Sequence, residues 1–245
     1  MEVHMTITQA IERRKSRRTY CRKPIKPEFV ALLRSRIDEY NQKSGLTIRL
    51  VEKGRSAFAD IRKSYGMFKG VQSFFVMKGS AGDPYLKEKI GYYGELLVLE
   101  ATALGLGTCW VGGTFDPSGI RKSSGEELVC VITVGPVPDS ETAKERLLRK
   151  AIHRRTKTVE ELSRISGEPP SWFQKGMKAV LKAPSTRNTQ KVLFTYDNGL
   201  LRASVPDTGR FDLVDLGIAK LHFSLAAGGR FEIGNGGSYI PLEKE

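Results

Sequence analysis

The sequence predicts a mixed α+β layer fold, and three observations carry that prediction. The first is the stretch Gly91–Gly113, GYYGELLVLEATALGLGTCWVGG, where Tyr92, Tyr93, Leu96, Leu97, Val98, Leu99, Ala101, Ala103 and Leu104 leave only Glu95, Glu100 and Thr102 as polar breaks. A helix that is apolar on nearly every side belongs in a core. The second is a pair of runs dense in β-branched and aromatic residues, Val71–Met77 (VQSFFVM) and Leu128–Val134 (LVCVITV), which read as central strands between buried helices. The third is recurrence: Gly94 to Gly105 and Gly217 to Gly228 carry the same glycine separation inside apolar helices. Each is preceded by Pro, a helix, a turn and a strand, Pro27 to Val51 in the first half and Pro170 to Tyr196 in the second. The chain therefore reads as two diverged copies of one α/β unit, divided into residues 1–165 and a shorter 166–245.

In order, Ile7, Ala10 and Ile11 fall at helical spacing and open the chain with a short helix. Pro27 starts a helix to Tyr40, Asn41 to Gly45 is a turn, and Leu46 to Val51 alternates as a strand. Residues 52–70 are polar, with a short helix expected over Ala57–Tyr65. The apolar helix follows, with Gly105 and Gly107 expected to end it by supplying left-handed backbone. An extended Thr-Cys-Trp-Val and Gly112-Gly113 come next, and a glycine pair lets backbone N–H groups approach a flat ligand because no Cβ stands in the way. After the strand 128–134, TVEELSRISGEPP reads as a short helix followed by a break at Gly167 to Pro170, the best linker. Trp172 to Leu181 is a helix, Val192–Tyr196 and Leu200–Val205 form a hairpin about Asp197-Asn198-Gly199, and Leu213 to Ala227 is a second apolar helix closed by Gly228-Gly229.

At 245 residues, with 40% hydrophobic and 27% charged residues, the chain is long enough for one large or two small cores and is ordinary for a soluble protein. Its opening residues hold no apolar leader, and the reading is cytoplasmic, with no membrane span. Three cysteines and three scattered histidines show no metal-ligand spacing, so neither disulfides nor a metal site is expected. The net charge of +13 is compatible with nucleic acid, acidic membranes or an anionic cofactor. Neither basic run, RRKSRR at 13–18 or RLLRKAIHRRTK at 146–157, interleaves the exposed aromatics that stack on bases, so no nucleic-acid partner is expected. The first run is more than surface charge: it follows an apolar helix, places Ser16 among cations and closes on Tyr20. Arginines around a hydroxyl make a good phosphate cradle.

These residues also carry a resemblance. Arg14-Lys15-Ser16-Arg17-Arg18-Thr19-Tyr20 resembles the R-R-S-x-R-x-F signature that opens FMN-dependent nitroreductases. Ala103 to Gly113 resembles that family's core helix and flavin-contacting loop, and Val134 to Pro138 its following strand. The family's A-P-S-x-x-N-x-Q segment is missing from the first half and appears in the second, as Ala183 to Gln190. Family members are homodimers with flavin at the subunit interface, so this distribution resembles a fused, tandem nitroreductase-like subgroup in which one chain forms a pseudo-dimer. Lys15 replaces the usual second arginine, and Lys191 stands where proline usually follows the glutamine.

The resemblance implies an FMN-dependent oxidoreductase. It would pass reducing equivalents from NADH or NADPH to a small aromatic, quinone or nitro acceptor. Arg14 would hold the flavin phosphate, Ser16 the phosphate or ribityl edge, and Lys15 and Arg18 the ribityl and N1–C2 carbonyl region. Trp110, Val111, Gly112 and Gly113 would form the loop at the N5 edge, with Pro184, Ser185 and Asn188 completing the pocket from the other half. No catalytic side chain is implied, since the flavin carries the hydride. One FMN per chain and a monomeric protein follow from the same reading. The alternative is a non-catalytic flavin-binding protein, or a basic nucleic-acid adaptor, on a degenerate reductase scaffold.

Overall fold

The computed structural model of the chain describes residues 5–58, 66–152 and 155–242. It divides into two compact units, the first made of residues 1–86 with 96–151 and the second of 87–95 with 152–245. The change between units therefore falls at Ala151/Ile152, whereas the expected boundary at 165/166 cuts through a strand of the second unit. That strand, Ser163–Ser166, is too short and polar to stand out in the sequence.

In the first unit, α1 (Ile7–Arg13) begins with a capping box in which Thr6 and Gln9 each accept the other's backbone N–H. Helix α2 (Pro27–Ser44) buries Leu33, Ile37, Tyr40 and Ser44 along one face and stops at Gly45, which is left-handed at φ 74°. It runs through Asn41–Ser44, where a turn was expected. The polar residues that suggested the turn serve the helix end: Ser44 Oγ donates to Tyr40 O, and the Asn41 amide exchanges both of its hydrogen bonds with Ile48. Strand β1 is only Arg49–Val51. Arg55–Phe58 form a 3-10 turn, and the helix expected over Ala57–Tyr65 falls for the most part on residues 59–65, which lie outside the described residues.

Strands β2 (Ser73–Ser80), β3 (Gly107–Val111) and β4 (Glu126–Gly135) complete an antiparallel sheet in the order β1-β2-β4-β3. Strand β2 is buried from Ser73 to Gly79, which is why its sequence shows a continuous apolar run instead of alternation. Phe74, Val76, Val111 and Val131 meet Tyr20, Phe58 and Phe115 in one cluster. A bulge after Met77 turns the buried Lys78 toward Glu126, whose Oε2 it reaches at 2.5 Å. Between β2 and β3 runs α3 (Leu86–Ala103). Gly105 ends it with φ 75°, as expected, but Gly107 plays a different part: a Cβ there would lie 2.2 Å from Val137 Cγ1 and 3.0 Å from Arg17 Cγ, so it supplies space, not a left-handed turn. Helix α4 (Ala143–Ile152) closes the unit.

The second unit holds α5 (Val159–Leu162), β5 (Ser163–Ser166), α6 (Ser171–Val180), β6 (Leu193–Asp197), β7 (Leu200–Ser204), α7 (Asp212–Ala227), β8 (Arg230–Phe231) and β9 (Tyr239–Ile240). Strand β5 pairs parallel to β6, and β6 and β7 form the expected hairpin, with Asn198 and Gly199 at positive φ. The second unit thus holds a three-stranded sheet, β5-β6-β7, and a two-stranded ribbon, β8-β9, with an isolated Arg202–Ser238 bridge between them. Phe223 of α7 is the centre of the core, in ring contact with Trp172, Phe173, Phe194, Phe231 and Tyr239.

Helix α7 also crosses the 87–95 part of α3 at backbone contact. A Cβ on Gly91 would lie 2.0 Å from Val214 O, and one on Gly217 would lie 2.0 Å from Glu88 O. The approach is reciprocal, since each carbonyl stands three residues before the opposing glycine. Gly217→Ala and Gly91→Ala should each cost about 1–3 kcal/mol or more, because a carbonyl on a packed helix does not yield as a side-chain end does. Urea unfolding checks this, with Gly113→Ala, whose Cβ would meet nothing within 4 Å, expected to stay within about 0.5 kcal/mol of wild type.

Candidate functional site

The cationic run after α1 is an extended segment stitched on both sides into the first unit. Ser16 bridges Thr108 at the start of β3, and Arg17 N–H donates to Thr108 O at 2.8 Å. Lys69 N–H donates to Arg18 O and Tyr20 N–H to Lys69 O, while Cys21 N–H donates to Pro136 O. Tyr20 is buried, and its hydroxyl donates to Arg17 O at 2.9 Å and lies 2.7 Å from Thr133 Oγ1. Burial, above all, pushes its pKa well up, so it serves as a neutral anchor.

This stitching sorts the cations. Arg17 turns inward: Nε donates to Glu145 Oε1 at 3.2 Å, and the terminal Nη2 to the carbonyls of Pro138 and Ser140 at 3.0 and 3.2 Å. Arg14 and Arg18 instead flank Cys109 of β3. Burial raises the thiol pKa, and the two guanidiniums and a hydrogen bond with Ser16 pull it partly back. Arg14, Ser16 and Arg18, three of the residues singled out in the sequence, thus converge on one point of β3. The Arg18 Nε is buried and has no hydrogen-bond partner among the described residues. Lys15 is exposed and does not join them. A buried thiol held protonated is an inert one, so Cys109 is packing and not a nucleophile.

The sequence reading missed Glu145, 3% exposed and the support of the whole run. Its Oε1 accepts from Arg17 Nε and from the backbone N–H groups of Arg18 (2.8 Å) and Thr19 (3.0 Å). Its Oε2 accepts Thr142 N–H at 2.9 Å, and Glu145 N–H donates to Thr142 Oγ1, which makes a capping box at the start of α4. Burial alone would raise the Glu145 pKa. The N–H groups of Thr142, Arg18 and Thr19, with Arg17, outweigh it and hold the group at about 2. The signal was present as Thr142-Ala-Lys-Glu145, a helix-start signature, though nothing local in it points to residues 17–19.

Strand β3 carries the glycine loop. Trp110 and Val111 pair with Ile132 and Val131 of β4, and the Val111 side chain lies in the apolar cluster, so only its backbone is available to a ligand. Gly112 and Gly113 follow at the strand end, Gly113 exposed with open space where a Cβ would be.

Pro184, Ser185 and Asn188 lie in the second unit, on a turn after α6. Arg187, Asn188 and Gln190 all have φ near +50°, a conformation that costs non-glycine residues of order 1 kcal/mol or more each. The turn is held by Ser185 Oγ accepting from Gln190 N–H (3.0 Å), Lys157 bonded twice to Gln190, and Asp215 accepting from Thr186 N–H and Oγ1. Pro184, Ser185, Gln190 and Asp215 line a small cleft backed by Leu162 and Val180. Burial at this apolar wall raises the Asp215 pKa to about 7 against the pull of Thr186. Among the described residues no group of three or more His, Cys, Asp or Glu is placed to hold a metal, and no helix is long and apolar enough to cross a membrane.

The strand β3 thus ends in a glycine loop and has a cation-and-hydroxyl run laid against its start. The comparisons assign the class. The family model described as "Putative TM nitroreductase" matches residues 6–227, and the chain belongs to this nitroreductase family of oxidoreductases. The fold is similar to that of a "putative nitroreductase" from Thermotoga maritima MSB8, with a TM-score of 0.64, 21% identity, and 98% of this chain and 94% of that one covered. Weaker similarities include a nitroreductase family protein from Clostridium difficile 630 (TM-score 0.47, 17% identity, 68% of this chain and 100% of that one). Another is an FMN-dependent nitroreductase from Clostridium difficile R20291 (TM-score 0.45, 15% identity, 59% and 96%). No curated protein matches the sequence.

The Glu145 geometry sets a pH dependence. A folded-state pKa of about 2 against an ordinary 4.5 means stability that is fully present above about pH 5 and lost as pH falls toward 2. Glu145→Gln should therefore show a smaller loss of stability between pH 6 and pH 3 than wild type, measured by urea unfolding. A residual acid dependence will remain from Glu126, held at about 2 by Lys78, Thr47 and Ser123.

Proposed function

We propose that the chain is an FMN-dependent oxidoreductase that takes reducing equivalents from NADH or NADPH and passes them to a small aromatic, quinone or nitro acceptor. The observation that carries this reading is the convergence of Arg14, Ser16 and Arg18 beside Cys109, with the Arg18 Nε buried and lacking a partner. A buried donor left unmade costs about 1–3 kcal/mol, so its retention argues for an acceptor supplied by a ligand. The residues fit FMN: two guanidiniums and a hydroxyl suit a phosphate dianion, and Gly113 leaves room for a flat ring. Bound FMN supplies two-electron hydride exchange through its N5 position.

The chain's own contributions are binding, orientation and charge. Arg14, Ser16 and Arg18 together hold the phosphate end; Arg18, expected on the ribityl side, is assigned there because it acts on the same thiol, Cys109, as the other two. The backbone of Gly112 and Gly113 bounds the ring edge. Pro184, Ser185 and Asn188 are a second candidate set of flavin contacts, supported by their motif and by the left-handed turn that its bonds hold in place. No side chain is assigned proton transfer.

The proposal includes a two-copy origin, with the chain acting as an internal pseudo-dimer. Its support is the element order: the first unit runs α2-β1-β2-α3-β3-β4 and the second α6-β6-β7-α7-β8-β9, although the first forms one four-stranded sheet and the second a three-stranded sheet β5-β6-β7 with a separate β8-β9 ribbon. The reciprocal Gly91 and Gly217 contacts support the same reading. Light scattering should then give a monomer, and released flavin should amount to one FMN per chain.

The direct test is to reconstitute with FMN and titrate anaerobically with NADH and NADPH. A yellow protein bleached by either supports the reading, and a protein that takes up no flavin overturns it. Arg18→Ala should weaken FMN binding by about 1.5–3 kcal/mol with little change in Tm. Arg17→Ala should lower Tm first, because its partners are Glu145 and two backbone carbonyls. Equal effects of the two variants on FMN affinity and on Tm would mean that the run acts as diffuse charge.

A further inference from the structure

We propose that Glu145 is a positioning residue that makes the site select a phosphorylated flavin over the same flavin without its phosphate. The proposal rests on the FMN reading above. A carboxylate directly behind an anion cradle would ordinarily oppose phosphate binding by like charge. Here its charge is cancelled at the source by Arg17, and its two oxygens are committed to different tasks. Oε2 is fixed by Thr142, whose N–H lies at 2.9 Å and hydroxyl at 3.1 Å. That leaves Oε1 rigidly aimed at residues 17–19, where it takes the N–H groups of Arg18 and Thr19 together with Arg17 Nε.

The effect on Arg18 is geometric. Its backbone is clamped from both sides, by Glu145 at N–H and by Lys69 N–H at the carbonyl, so the guanidinium leaves from a fixed Cα. A cation on a free loop binds any anion diffusely. A fixed one beside Ser16 and Arg14 presents its donors to one place, where a terminal phosphate gains and a terminal hydroxyl does not. Glutamine cannot do what Glu145 does, because only one of its two terminal atoms accepts. Either the Thr142 cap or the 17–19 clamp is lost.

The experiment measures the affinities of the full chain for FMN and for riboflavin by quenching of flavin fluorescence. The variants are Glu145→Gln, Thr142→Val, Arg18→Ala, the double variant Glu145→Gln/Arg18→Ala, and Glu126→Gln. Glu126 is the control, an acid in the same unit with Lys78, Thr47 and Ser123 as partners and no bond to the run. Wild type should prefer FMN. Glu145→Gln should lower the FMN-to-riboflavin preference about tenfold, the worth of roughly one charge-assisted hydrogen bond. It should act through FMN alone, and add little to Arg18→Ala. Thr142→Val should move the preference in the same direction by less, and it carries the test if Glu145→Gln does not fold. Glu126→Gln should lower stability and leave the preference unchanged. A wild-type preference in Glu145→Gln, or in Thr142→Val where that variant stands in, overturns the proposal. So does an equal loss for both flavins. A wild-type protein that binds neither flavin removes the FMN reading itself, and one that binds both equally refutes selection while leaving flavin binding intact.

Discussion

Two glycines decide how the second unit is built. Because Gly91 and Gly217 lack a Cβ, residues 87–95 and helix α7 touch at the backbone, and the polar side chains on those two stretches are cut off from water. They occur as matched sets for that reason. Lys220 Nζ reaches Glu88 Oε1, Glu232 O and Gly234 O, which uses all three of its donors, and the second Glu88 oxygen accepts Gly234 N–H. One charge left unpaired at such a place would cost about 3–5 kcal/mol. The clamp also pins residues 232–234, which fixes where β8 and β9 lie. His222 obeys the same constraint. Its two ring nitrogens face Ala179 O at 3.2 Å and Glu95 Oε1 at 3.0 Å, so both are paired within the unit.

The first unit solves a different electrostatic problem. A run of five cations in six residues cannot all serve one ligand, and the fold separates them by giving some of them internal acceptors. Arg17 goes to a carboxylate and two carbonyls, Lys15 to solvent, and Arg14 and Arg18 to the neighbourhood of Ser16 and Cys109. Separation of this kind turns a diffuse positive potential into directed donors. It is also why net charge alone says so little about the ligand: most of the +13 is solvated, and what matters is which donors are left unmade.

The helices and central strands were legible because their patterns are local. The apolar continuity of α3 and α7, Pro27 at the start of α2 and Asp-Asn-Gly in the hairpin all act within a few residues. Errors arose where one residue type has two uses. Gly107 looked like a helix stop and is a space-maker for Val137, and Asn41–Ser44 looked like a turn and caps a helix. Strand β5 was missed because its pairing with β6 supplies what its own sequence lacks. Within the site, the cation run and glycine loop were visible as motifs, but the sorting of Arg17 from Arg18 depends on Glu145, over a hundred residues away. Asp215 was hidden likewise, an acid in an apolar helix whose purpose appears only when Thr186 is beside it.

Glycine use differs between the two units. In the first unit Gly113 faces open space, so the missing side chain leaves room that nothing in the chain fills. The glycine-rich stretch of the second unit, 234–237, is instead consumed by its own turn: Gly234 and Gly236 have φ of 108° and 87°, and a Cβ on Gly237 would lie 2.2 Å from Glu232 O. Its amides are committed as well, Gly234 N–H to Glu88, Gly236 N–H to Ala203 O and Gly237 N–H to Gly234 O. Ahead of α6 the described cations have partners within the unit: Arg155 donates to Glu161, Lys157 bonds twice to Gln190, and Arg164 donates to Ser163 O. A phosphate dianion brought to residues 234–237 would find their amides already bonded, and desolvating it without donors costs far more than ring contacts return. In the second unit an added Cβ on Gly217, Gly229 or Gly237 would meet a backbone carbonyl, whereas one on Gly113 of the first would meet nothing.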